Sequence, residues 1–221
     1  NPALDLLHDG ATLSLPPGVS AGTIAWPTPQ RQKIGNLVNY GFEGTVLLPV
    51  PLTIGKDFVP NGQGALELRL AASWLVCRQE CIPQEGQFVL QVPAKGSTAA
   101  HGATFAAASA AAPAAFTGTA QARIDGNDLV LGASGLPASW HGKALQVFPE
   151  GANLVEPGRT PHAGAPAQSG EALASGQQGW NATHWQARIP LSALRESAPA
   201  QFGWVLALGA QSLRMAAAVQ G

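Results

Sequence analysis

The chain has 221 residues, enough for two domains of about a hundred residues each or one large sandwich. Lys and Arg number 12 against 13 Asp and Glu, the net charge is −1, and charged residues are 11% of the total, where about 25% is usual. With no Lys/Arg cluster, nucleic acid and anionic membrane surfaces are excluded as partners. Gly (26) and Pro (18) are abundant and favour short strands joined by turns over long helices.

Taken in order, residues 12–15 alternate apolar and polar before a Pro-Pro-Gly break, and 23–26 read as a short strand stopped by Pro27 and Pro29. Residues 39–44, NYGFEG, read as a Gly-rich stretch between strands. The next strong strand is 44–54, where Pro49 and Pro51 remove ladder donors and imply an edge or a bulge. Residues 64–71 alternate cleanly, with Leu66, Leu68 and Leu70 inward and Glu67 and Arg69 outward. Residues 88–92 form the last strand of this half, ended by Pro93.

From 94 to 115 the chain turns to small residues, an Ala-rich linker or a short helix over about 102–112 with Phe105 tucked against a domain. The domain boundary is placed there, giving 1–97 and 98–221. The second half repeats the β style at 116–124, 129–131, 144–148, 185–189, 204–208 and 213–219, while 156–179 reads as a long surface loop. Its expected role is structural, or that of a docking face. The fold class is all-β, two β-sandwich domains.

The two cysteines stand together in WLVCRQECIP, residues 74–83. Fully extended, Cys77 and Cys81 would lie roughly 13 Å apart at their α-carbons, and a disulfide needs them within about 7 Å. If they bond, the chain folds back through Arg78, Gln79 and Glu80. A hairpin with a three-residue loop does this, and so does one helical turn; the β-rich flanks favour the hairpin.

So small a ring constrains the unfolded chain by only ~2 kcal/mol, against ~4.7 for a hundred-residue loop. That suits a pair that opens and closes by thiol–disulfide exchange, with Arg78 favouring a thiolate at Cys77 and Glu80 opposing one at Cys81. A structural disulfide and a metal site stay open from the residues alone. The metal reading is the weaker: His8, His101, His141, His162 and His184 show no ligand spacing near the cysteines, and Met215 is the single methionine.

No hydrolase elbow, Walker loop, dinucleotide fingerprint or zincin motif is present. Trp26, Trp74, Tyr40 and Phe42 are aromatics that fit either core packing or a cover over the sulfurs. No apolar run approaches the ~20 residues of a membrane span. The chain therefore reads as soluble, with any export signal removed or outside it.

Three blocks, IAWPTPQR (24–31), NYGFEGTVLLPV (39–50) and WLVCRQECIPQEG (74–86), resemble the periplasmic N-terminal region of the DsbD/ScsB thiol:disulfide interchange family. VFPEGANLVEP (147–157) resembles a further block of the same proteins. The resemblance implies an immunoglobulin-like first domain with Cys77 and Cys81 as the redox pair and Cys81 as bearer of the mixed disulfide. It implies binding roles for Tyr40, Phe42, Trp74, Arg78 and Glu80, with Tyr40 or Phe42 in a shielding cap.

It also implies a periplasmic electron relay with no bound cofactor. Electrons would come from a transmembrane domain of the same full-length protein and go to a periplasmic thioredoxin-fold protein. The three-residue gap between the cysteines resembles the ScsB-like branch. The chain then reads as a soluble fragment of a larger protein. The rival reading is a non-catalytic β module, an adhesin or chaperone-like binder with a structural disulfide.

Overall fold

The structure, a computed structural model, describes residues 3–5, 10–35, 37–78, 80–96, 101–150, 154–162, 164–167, 170–195 and 199–221, with 3–5 as backbone only. It divides into two compact units, Asn1–Ala112 and Pro113–Gly221. The sequence boundary at 97/98 differs from this by the Ala-rich stretch, which falls with the first unit. Within that unit the Thr28 N–H donates to the Ala111 carbonyl at 3.4 Å, which ties the end of the stretch to the loop after Trp26.

The first unit contains β1 (Ala3–Asp5), β2 (Ala11–Ser14), β3 (Val19–Ala21), β4 (Gln30–Ile34), β5 (Leu37–Glu43), β6 (Leu52–Ile54), β7 (Ala65–Cys77), β8 (Cys81–Pro93) and the helix α1 (Gly102–Ala111). One sheet runs β2-β7-β1-β5-β4 with β8 on the other side of β7, and β3 pairs with β6 separately. β2 and β1 share one edge of β7, β2 opposite 69–72 and β1 opposite 75–77.

The hairpin of β7 and β8, thirteen residues each, dominates the unit. Asn61 starts it: its side-chain oxygen accepts the N–H groups of Gln63 and Ala65, both at 3.0 Å, while Gly64 takes the left-handed φ of +71°. The expected alternation extends through both strands. Leu66, Leu68, Leu70, Ala72, Trp74 and Val76 face Val92, Leu90, Phe88, Gly86, Gln84 and Ile82 across the ladder, nearly all apolar. On the other face Glu67 accepts from Arg69 (2.8 Å) and Gln91 (2.6 Å), and Asn61 donates to Gln91 (3.0 Å). These bonds, Arg69 first, hold the Glu67 carboxyl below the usual carboxylate range.

Three sequence expectations for this unit change. Residues 22–29 and 45–51 form no strand; the Pro49 and Pro51 carbonyls accept from Ala25 and Gly22 (2.8 Å each), but prolines return no N–H, so no ladder closes. NYGFEG, except for its final Gly44, lies within β5 rather than between strands, Tyr40 opposite Arg31 in β4. Phe105 is 48% exposed and α1 buries none of its residues, because Ala and Ser offer little apolar side chain to anchor a face.

The second unit contains β9 (Ala114–Ala115), β10 (Thr119–Asp125), β11 (Asp128–Ser134), β12 (Gln146–Pro149), β13 (Gln178–Asn181), β14 (His184–Pro190), β15 (Gln201–Leu208) and β16 (Gln211–Gln220). The order is β12-β15-β16-β10-β11-β14-β13. β16 lies antiparallel to β15 over 211–218 and then parallel to β10 at 219–220, so it joins two leaves of a sandwich. Leu129, Leu131, Trp185 and Ile189 from one leaf and Val147, Phe202, Trp204 and Leu206 from the other form one buried cluster.

β13 begins within the last two residues of the stretch expected to be loop. Its buried Gln178 shows why: the side-chain oxygen accepts the Leu145 N–H and the Trp185 indole N–H (2.9 Å each), and its amide donates to the Leu145 carbonyl (2.8 Å). A glutamine reads as loop until its partners are known.

Candidate functional site: a cystine at a hairpin tip

β7 and β8 meet at their ends, where Cys77 and Cys81 are directly opposite in the ladder and joined by a disulfide, α-carbons 4.1 Å apart. The hairpin, not the helical turn, closes the ring. The Arg78 N–H donates to the Glu80 carbonyl at 3.1 Å across the loop, and both side chains are exposed. Gln79 lies outside the described residues.

The two sulfur-bearing residues differ in environment for a topological reason. β7 is an interior strand, with β8 on one side and β1 on the other, Ala3 opposite Cys77. Cys77 is 2% exposed. β8 has β7 alone as a described neighbour, and Cys81 is only half-buried. Cys77 is covered and Cys81 is partly exposed.

The register also sorts the expected site residues. Arg78 and Glu80 are brought to the sulfurs by the loop. Trp74, three residues before Cys77, projects from the opposite face of β7, where its ring lies 6.5 Å from that of Phe88. Tyr40 and Phe42 are on β5, one strand beyond β1. Phe42 is opposite Leu4, which is opposite Val76, so the two rings alternate to the face of Val76 and Trp74 and not to that of the cystine. Phe42 stacks instead on Trp26, centroids 6.2 Å apart and planes 10° off parallel.

Two features of this hairpin, one at the cystine and one five rungs away, were not legible in sequence. A concavity of about 360 Å³ at the hairpin tip is lined by Val76, Arg78, Glu80 and Ile82. Gly86 is pressed by aromatic rings: a Cβ there would come within 2.7 Å of Phe88 and 3.2 Å of Trp74. That glycine was a visible signal, but what it accommodates depends on cross-strand register. Among the described residues no three His, Cys, Asp or Glu side chains gather as a metal site.

A buried cysteine bonded to a half-buried one at the tip of a hairpin is an arrangement that can exchange with an outside thiol or disulfide. Comparison with known proteins points the same way. Residues 3–93 match the family described as thiol:disulfide interchange protein DsbD, N-terminal. No curated protein sequence matches the chain. Among solved structures, the crystal structure of the N-terminal periplasmic domain of ScsB from Proteus mirabilis matches with a TM-score of 0.64 and 13% identity, covering 99% of this chain and 83% of that one. At that identity the likeness is one of fold, and it agrees with an all-β, immunoglobulin-like and sandwich architecture.

Proposed function

We propose that this chain contains a thiol:disulfide interchange domain, a reading supported by the match of residues 3–93 to the family described as thiol:disulfide interchange protein DsbD, N-terminal. Its role is to pass two electrons to a thioredoxin-fold protein in the periplasm, acting as a protein-disulfide reductase. The Cys81 thiolate attacks the partner's disulfide and a mixed disulfide forms as one partner thiolate leaves. Cys77, as thiolate, then attacks Cys81 Sγ, closing the Cys77–Cys81 bond and releasing the second partner thiolate. A membrane-embedded dithiol of the same full-length protein restores the pair by the reverse steps.

The observation that carries this reading is the unequal cover of the two cysteines, Cys77 buried between β8 and β1 and Cys81 half-buried on an edge strand. Arg78 and Glu80 frame the approach, and Trp74, Tyr40 and Phe42 belong to the apolar face that a partner meets on the other side of the sheet. The second unit serves as structure or as a docking face. No described helix is long and apolar enough to cross a membrane.

Alkylation of the thiols across a series of glutathione and dithiothreitol buffers tests the reading. A redox-active pair titrates above about −300 mV; a bond that resists to lower potential is structural and favours the rival binding module. Cys77→Ser is expected to accumulate a mixed disulfide with a thioredoxin-fold protein and Cys81→Ser to form none. The reverse pattern overturns the assignment of the attacked sulfur.

A further inference from the structure

We infer that Glu80 is a specificity-determining residue of the exchange site: its carboxylate receives the positive end of the helix that opens with a redox partner's reacting cysteine. The inference rests on the exchange reading above and names what selects the partner.

The hairpin tip is unequal in charge as well as in cover. Arg78 follows the buried Cys77, and Glu80 precedes the half-buried Cys81. The Arg78 N–H donates to the Glu80 carbonyl at 3.1 Å, which closes the loop and sets the two residues on either side of it. Their side chains are exposed and, with Val76 and Ile82, line the concavity at the tip. Among the described residues no ion pair joins Arg78 to Glu80, and neither is in an ion pair with another residue. The less covered cysteine therefore has a negative charge beside it, and the covered one a positive charge.

An unpaired glutamate next to an attacking sulfur opposes its thiolate and repels anionic thiols. It favours exchange only with a group that arrives positive. In the thioredoxin fold the reacting cysteine stands at a helix N-terminus, an environment that favours a thiolate. That end carries roughly half a positive charge and the N–H groups of the first turn, which no carbonyl of the helix accepts. A carboxylate meets both needs.

Covalent geometry brings the two together. A disulfide holds the partner's α-carbon about 4.4–6.8 Å from that of Cys81, and the α-carbon of Glu80 is about 3.8 Å from that of Cys81. The first turn of the helix rises only about 5.4 Å, so its N–H groups come within the sweep of the Glu80 side chain. Arg78, on the other side of the loop, repels the same helix end. The two charges thus set the start of the helix over Cys81 and away from Cys77.

The same charge sheds the product. In the mixed disulfide the partner's sulfur is neutral and Glu80 meets the helix dipole alone. When Cys77 closes on Cys81, that sulfur leaves as a thiolate, which Glu80 repels. Oxidised partner is held and reduced partner is released.

The test uses the reduced full chain and two alanine-rich helical peptides of identical composition with blocked ends. One carries an oxidised C-x-x-C in its first turn, the other in its last. The Cys81 thiolate attacks one peptide sulfur and the other leaves as a thiolate; the Cys77 thiolate then attacks Cys81 Sγ and the first leaves. The peptide gains two electrons and two protons, and the protein becomes the disulfide. The readout is the ratio of the two rate constants, first-turn peptide over last-turn peptide, in wild type and in Glu80→Gln. Removing Glu80 also favours the Cys81 thiolate, but that acts on both peptides and cancels in the comparison.

The expected ratio is about two- to fivefold higher in wild type than in Glu80→Gln at low salt, the range of a charge at a helix end. Glu80→Asp should keep most of the difference, and about 1 M salt should remove it. Glu85→Gln, about 14 Å further along β8, should leave the ratio unchanged. Equal ratios in wild type and Glu80→Gln, with both peptides and glutathione disulfide still reduced, overturn the role of Glu80 and leave the exchange reading standing. An equal fall in Glu85→Gln assigns the effect to net charge and also overturns the proposal. Failure to reduce any of the three disulfides takes down both readings.

Discussion

Two ways of holding a β structure together meet in this chain. In the second unit, tryptophans from both leaves are closed off from water, and the buried glutamine among them has its bonds met. In the first unit, among the described residues, Ala65, Leu66 and Cys77 are the buried hydrophobic side chains; Leu68, Leu70, Trp74 and Val76 are half-covered and β8 is largely open. What organises that unit is the ladder of one long hairpin. Apolar burial contributes roughly 25 cal/mol per Å², so the second unit has the deeper reserve. Segments that must open or accept a partner are drawn from the less stable end of a structure, and here the cystine is on the lightly packed side.

The largest expected effect is at Trp185, fully buried in β14 with its indole N–H on Gln178. Trp185→Ala is expected to destabilise the second unit by about 3–5 kcal/mol. Hydrogen exchange should show lost protection in β11, β14 and β15 and little change in β7 and β8. Equal loss in both units would end the contrast.

Reduction of Cys77–Cys81 comes next. A five-residue ring accounts for about 2 kcal/mol at most, so reduced protein should show faster exchange near the hairpin tip while the amides of β14 and β15 keep their protection. Collapse of the whole first unit on reduction would mean that the disulfide, not the ladder, holds it, which favours a structural bond.

Acid gives the smallest effect. In the first unit the Glu67 carboxyl is held low by Arg69 and then Gln91; in the second, Asp125 is held low by Arg188 and then Arg123. Each is lowered on folding, so its stabilisation is complete above the unfolded value, near pH 4, and is lost as pH falls through the lower folded value. Both groups are in good part open to solvent without being fully exposed, so acid titration followed by carboxyl NMR should show both titrating below model compounds, with only small changes in exchange protection. A midpoint at or above the ordinary value for either would remove that ion pair from the account.

Much of the first unit was written locally. Alternation over 64–71 marked the apolar face, and the three-residue spacing between the cysteines the hairpin. β5 was hidden because its glycine and its aromatics carry no clean period, and β13 because Gln178 looks polar until Leu145 and Trp185 receive its bonds. The strand reading of 23–26 and of 44–54, except for β6 at its end, failed for a local reason that can be stated afterwards: Pro49 and Pro51 still accept hydrogen bonds, so the segments approach each other without a ladder.

By itself the sequence determined that two cysteines four residues apart, in a strand-forming context, come together at a bend, because short-range geometry allows little else once they bond. Only the tertiary structure decided that they are unequal. Pairing of β1 with the far edge of β7 encloses Cys77 and leaves Cys81 on a boundary strand, and the same pairing sets Tyr40 and Phe42 on the other face, that of Trp74. Such choices depend on which distant segment supplies the next row of hydrogen bonds, and no local pattern around the cysteines encodes that.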